Sequence, residues 1–192
     1  MQPHESKRIT DISLLRRENS GVVIVDMQEK LMGAMGGKER VIDRAVKLIH
    51  LAEGFDLPII LTEQNPGGLG PTLSEIREHL PDYAPIEKME FNCLRVEAFN
   101  KRLEEVRLHN IILMGVETHI CIFQTCVALL ERGYRVHIPH HAVDSRTTDN
   151  WRIGLELMRD AGAVITSAET IIFQLLKKAG TEEFKKMLPY VK

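Results

Sequence analysis

Gly21-Val22-Val23-Ile24-Val25-Asp26 reads as a strand of unbroken apolar, mostly β-branched residues that ends on a carboxylate. A strand with one face in water alternates polar and apolar residues. An unbroken run has both faces covered, as in a parallel sheet packed between helices. The same signature returns at Leu57-Pro58-Ile59-Ile60-Leu61 and Ile111-Ile112-Leu113-Met114, and in shorter form at Val136-His137-Ile138 and Ala163-Val164-Ile165. Between the runs, apolar residues space at three and four. Val41, Ile42, Ala45, Leu48, Ile49 and Ala52 share one helical face, while Glu39, Arg40, Asp43, Arg44 and Lys47 take the other. Val96, Phe99, Leu103 and Val106 repeat this pattern, and segments 121–132, 151–161 and 171–178 continue it. Gly133 and Gly162 stand where helix C-caps belong. Alternation of strand and helix repeated about five times predicts a doubly wound α/β domain, with a mainly parallel sheet of about six strands and helices on both faces.

The chain of 192 residues fits a single domain, 1–192, with 44% hydrophobic and 27% charged residues. Its net charge of -2 argues against a general nucleic-acid or anionic-membrane binder, whose affinity rests on a basic face. Three cysteines cannot all pair within one chain, and a core of this size needs no disulfide, so a reducing cytoplasm is expected. Lys7, Arg8, Asp11, Arg16, Arg17 and Glu18 interrupt the first twenty residues, so no cleavable leader is expected. Nor does any apolar run approach the ~18 residues that span a bilayer.

Ligands of doubly wound sheets bind at the carboxyl ends of the strands, and three residues there carry chemistry. Asp26 ends the first run. Lys88 follows Ala84-Pro85-Ile86-Glu87, a candidate edge strand, and Cys121 lies shortly beyond Met114 at the start of a predicted helix. A thiol near a helix N-terminus sees the positive end of the macrodipole, and a nearby ammonium favours thiolate further. A carboxylate in reach can take the thiol proton and later protonate a leaving amine. Read singly, each has a plainer meaning: a loop acid, a surface lysine, a buried small hydrophobe. Cys93 and Cys126 share that last reading. Periodicity does not bring the three groups together.

Three signatures do. Val23-Ile24-Val25-Asp26-Met27-Gln28, then Glu87-Lys88 with Phe91, then Gly115-Val116-Glu117-Thr118-His119-Ile120-Cys121 resemble, in order and spacing, those of the isochorismatase-like cysteine hydrolases. The resemblance runs from about residue 14 to 178 and includes Gly133-Tyr134-Arg135-Val136, Ser145-Arg146 and Ala161-Gly162-Ala163-Val164-Ile165. It implies a catalytic triad of Asp26, Lys88 and Cys121, with Asp26 as base then acid, Cys121 as nucleophile and Lys88 beside the thiol. It also implies a cis peptide at Val116–Glu117 and an oxyanion hole from the backbone amides of Glu117 and Cys121. Gln28, Glu63, Phe91 and His119 are the residues expected around the substrate, with core packing the plainer reading of Phe91.

Departures from the family pattern narrow the branch. Relatives that hydrolyse nicotinamide carry an aspartate and two histidines for a metal after the second strand. Here Thr62-Glu63-Gln64-Asn65-Pro66-Gly67-Gly68-Leu69-Gly70-Pro71 offers no histidine, so no metal and no cofactor are expected. His140-His141 is a weak metal signal, because adjacent side chains on a strand point to opposite faces. Isochorismate hydrolases of siderophore synthesis generally lack the cysteine, so Cys121 favours covalent hydrolysis of an amide-like C–N bond. The alternatives are vinyl-ether hydrolysis by Asp26 and Lys88 alone, or a binding module on the same fold. A small-molecule substrate and a homo-oligomer are expected. The tail from Thr181 onward reads as a short amphipathic helix that packs on its own domain or on a neighbouring subunit.

Overall fold

The structure, a computed structural model, describes residues 14–191. The expectation about a leader falls mostly on residues 1–13, outside the described residues. Strands are β1 (Ser20–Val25), β2 (Ile59–Gln64), β3 (Ile86–Lys88), β4 (Asn110–Val116), β5 (Arg135–Pro139), β6 (Val143–Asp144) and β7 (Val164–Thr166). Helices are α1 (Glu29–Gly33), α2 (Lys38–Gly54), α3 (Pro66–Leu69), α4 (Ser74–Arg77), α5 (Glu97–Glu105), α6 (Phe123–Glu131), α7 (Thr148–Asp160), α8 (Ala168–Leu176) and α9 (Glu182–Val191).

The seven strands form one sheet in the order β3-β2-β1-β4-β5-β7, with β6 pairing the end of β4. Every pairing is parallel. All residues of β1 and β4 are buried, as their unbroken apolar runs require. Period-2 geometry sends their side chains to two cores. Val22, Ile24, Ile112 and Met114 pack toward α2 and α8, and Val23, Val25, Ile111 and Leu113 pack with Phe99, Leu103, Cys126, Leu129 and Met158 on the opposite face. Gly133 and Gly162 follow α6 and α7 with φ of 83° and 107°. The tail helix α9 buries Met187 and packs Phe184 and Tyr190 on the core that α2 and α8 line.

Two strand ends position the site. β2 extends past Leu61 through Thr62, Glu63 and Gln64, because β3 pairs with it at just these residues. β1 and β4 meet so closely at their ends that a Cβ on Gly115 would lie 2.0 Å from the Val25 carbonyl oxygen. With φ at 123°, that position admits glycine.

His137 on β5 is the one polar residue within an apolar run, and it is 2% exposed. Neither ring nitrogen has a partner. Burial, and secondarily Arg135, pushes its pKa down to about 4. The ring is therefore neutral in the fold and takes up a proton on unfolding below its ordinary value. Stability then falls as pH drops from about 6.5 toward 4, by about 3 kcal/mol from this group. The His137→Leu variant is expected to lose this part of the acid limb in urea denaturation at stepped pH. Identical pH dependence in variant and wild type contradicts the assignment.

Candidate active site

Asp26 follows the last residue of β1, and its φ of 54° is left-handed, a conformation that aspartate tolerates better than most side chains. The bend closes with the Gln28 N–H donating to the Asp26 carbonyl at 2.8 Å. It also sets a fully buried carboxylate against the neighbouring strand. Thr62 Oγ1 donates to Asp26 Oδ1 at 2.8 Å, and Lys88 Nζ donates to Oδ2 at 2.6 Å. Neither side chain of this ion pair reaches solvent. Lys88 Nζ also donates to Gln64 Oε1 at 2.6 Å. The sheet dictates this cluster: Val25 is in register with Thr62, and Gln64 with Lys88, so β2 bridges the acid and the cation.

Cys121 reaches the same point from β4. The Val116–Glu117 peptide is cis, and a π-turn at Thr118–Ile122 leads into α6. The thiol is 5% exposed. Burial first, then the charge of Asp26, pushes the pKa up to about 12, while Lys88 pulls the other way. The expectation of a helix-stabilised thiolate is therefore corrected: desolvation and the carboxylate outweigh the ammonium, and the resting sulfur carries its proton. Cys93 is pushed up to about 11, mainly by burial, and its amide donates to Thr125 Oγ1 at 3.1 Å, one helical turn beyond Cys121. Cys126 is pushed up to about 12 by burial alone.

The remaining expected residues take different roles. Gln28 is fully buried, and its amide is spent on backbone: Nε2 donates to the Gln64 and Gly70 carbonyls, and Oε1 accepts from Gln64 N–H. Glu63 Oε1 accepts from Thr72 N–H, Thr72 Oγ1 and Tyr83 OH within 2.7 Å. Both side chains pin the loop after β2. His119 Nδ1 pairs with Ser145 Oγ at 3.0 Å, and the Glu117 carboxylate accepts from the Arg146 amide and Nε. Phe91 is 52% exposed, so the core-packing reading does not hold. His140 and His141 lie in a turn, not on a strand, with ring centroids 3.7 Å apart. Among the described residues, no group of three His, Cys, Asp or Glu side chains is placed to hold a metal ion. Thr62 and Gln64 escaped sequence analysis; their signal is polar residues at i and i+2 on a strand between two catalytic candidates.

Residues 20–170 match the family model of the isochorismatase domain. The secreted isochorismatase effector Isc1 of Phytophthora sojae is 36% identical over 178 residues, covering 91% of this chain and 85% of that protein. Isochorismatase domain-containing protein 2A of Mus musculus is 34% identical, covering 91% and 84%. Among solved structures, the MAR1 ribonuclease of Caenorhabditis elegans superposes with a TM-score of 0.87 at 32% identity, covering 93% and 92%. The YcaC product of Escherichia coli, described as an octameric hydrolase of unknown specificity, gives 0.84 at 23% identity, covering 92% of each chain, and shares the fold.

The raised thiol pKa has a testable sign. Asp26 opposes ionisation of Cys121 and Lys88 favours it, so Asp26→Asn is expected to speed iodoacetamide alkylation of Cys121 and Lys88→Met to slow it. In wild type the rate climbs between about pH 7 and 10 without a plateau. Site-resolved mass spectrometry reads this. A plateau at neutral pH, or slower alkylation of Asp26→Asn, contradicts the electrostatic assignment.

Proposed function

The chain belongs to the isochorismatase family, and on that premise we propose that it is a metal-independent cysteine hydrolase of a small amide-like C–N bond. One observation carries the reading. A buried carboxylate is hydrogen-bonded at once to an ammonium and a hydroxyl, and both charges act on a buried thiol, the carboxylate opposing its ionisation and the ammonium favouring it. That is the arrangement of a nucleophile with its base, the base being held by a third group.

Cys121 Sγ attacks the carbonyl carbon as its proton passes to Asp26. The carbonyl electron pair moves to oxygen, where the Glu117 and Cys121 backbone amides receive it. The C–N bond breaks as Asp26 returns the proton to the departing nitrogen, leaving a thioester. Water, deprotonated by Asp26, attacks the thioester; the C–S bond breaks and the sulfur regains its proton. A neutral resting thiol suits this order, because proton transfer accompanies attack. Lys88 holds the Asp26 carboxyl in place through its 2.6 Å hydrogen bond to Oδ2.

The burial of Asp26, Lys88 and Cys121 favours a small molecule over a polymer strand, as does the net charge of -2. One fold relative is described as a ribonuclease; a nearly solvent-free site gives an RNA backbone little access. Free, buried thiols fit a reducing cytoplasm, and the octameric fold relative supports a homo-oligomer. No helix among the described residues is long and apolar enough to cross a membrane.

A panel of small amides, followed by amine release and intact mass, tests the reaction. Wild type is expected to turn over at least one amide and to accumulate an acyl adduct on Cys121, and Cys121→Ala to lose turnover by about a thousandfold or more. Full turnover of a vinyl ether by Cys121→Ala favours the Asp-Lys hydrolase. A ligand bound without turnover by wild type favours the binding module.

A further inference from the structure

We propose that Gln64 positions Lys88 and, through it, controls the reactivity of Cys121; the inference rests on the Asp-Lys-Cys reading above and adds a residue to it. Lys88 carries three N–H donors on a side chain with no solvent exposure. One donates to Asp26 Oδ2 and one to Gln64 Oε1, both at 2.6 Å. Gln64 thus makes a contact to the ammonium as short as that of the catalytic carboxylate.

The orientation of the Gln64 amide is fixed. Its Nε2 donates to the Met89 carbonyl at 2.8 Å, which leaves Oε1 as the end that faces Lys88. Its backbone is clamped by Gln28, which accepts from the Gln64 N–H at 2.8 Å and donates to its carbonyl at 3.0 Å. Gln28 also donates to the Gly70 carbonyl at 2.7 Å, so the loop after β2 is tied to the same clamp. The buried amide of Gln28, expected from sequence to meet substrate, here holds the residue that holds Lys88.

Neutrality is what the amide contributes. A carboxylate at this place would divide one ammonium between two anions, and would add negative charge near a thiol whose ionisation Asp26 already opposes. An apolar side chain would leave a buried ammonium N–H without a partner, which is costly. The amide accepts from the ammonium, aims it at Asp26 and adds no charge. Gln64 acts through Lys88 and is a positioning residue.

The test is the rate of Cys121 modification by 2,2′-dipyridyl disulfide, a thiol reagent that works from acid to neutral pH, in the full chain and resolved by cysteine. Wild type is compared with Gln64→Met, Gln64→Glu and Lys88→Met. Gln64→Met is expected to be slower about tenfold or more at every pH, as for loss of a hydrogen bond to a charged group. Gln64→Glu is expected to be slow at neutral pH and to regain the wild-type rate as its carboxyl protonates. A protonated carboxyl, like the amide, offers one acceptor to Lys88 and one donor to Met89. If Gln64 only packs, the Gln64→Glu ratio to wild type does not move with pH, and that result overturns the proposal. If Lys88→Met slows Cys121 while both Gln64 variants match wild type, Gln64 loses its role and the triad stands. If Lys88→Met leaves Cys121 unchanged, the triad reading itself fails. Should Gln64→Met not fold, the pH dependence of the Gln64→Glu ratio decides alone.

Discussion

The Asp26–Lys88 ion pair is the interaction on which the site depends. Taking a carboxylate and an ammonium out of water costs several kcal/mol for each ion, and their attraction offsets this only when the remaining donors and acceptors are also met. Here β2 supplies one such partner to each ion, Thr62 to the acid and Gln64 to the cation. The strand order β3-β2-β1 sets acid and cation two strands apart with their partners on the strand between them.

That pair also decides the state of the sulfur. Cys121 stands where a carboxylate and an ammonium pull in opposite directions, and burial adds its weight to the carboxylate. The thiol is held neutral near the pair rather than stored as thiolate. In the proposed mechanism, chemistry begins when a substrate arrives to accept the electron pair while Asp26 accepts the proton. A buried neutral thiol is also shielded from adventitious oxidation, because the thiolate is the reactive form.

Much of this architecture was legible in the residues. The runs at Val22–Val25 and Ile111–Met114 marked central strands because they lack period-2 alternation, and both are buried throughout. Asp26, Lys88 and Cys121 were legible by position at strand ends and by resemblance, and Asp26 and Lys88 meet directly. Other features depend on tertiary partners that one-dimensional patterns do not carry. β2 was read as ending at Leu61, but Thr62, Glu63 and Gln64 are strand because β3 pairs there. β6 is two residues long, below any periodic signal. Helix α7 starts at Thr148, before the apolar face begins, because Thr147 caps it through the Asn150 N–H at 3.2 Å. Gln28 and Glu63 were recognised as polar groups near the site, yet Gly70 and Thr72, which they bind, lie on a loop whose path sequence does not specify.

The most direct test of the account is a double-mutant cycle on the pair, measured by urea denaturation of wild type, Asp26→Asn, Lys88→Met and the double variant. Asparagine keeps a side chain compatible with the left-handed bend at residue 26. The account predicts that Lys88→Met alone costs about 3–5 kcal/mol, because it strands a buried carboxylate. It also predicts that the double variant recovers more than about 2 kcal/mol of the summed losses. Additivity within about 0.5 kcal/mol would show that the two charges do not sustain each other, and would contradict it.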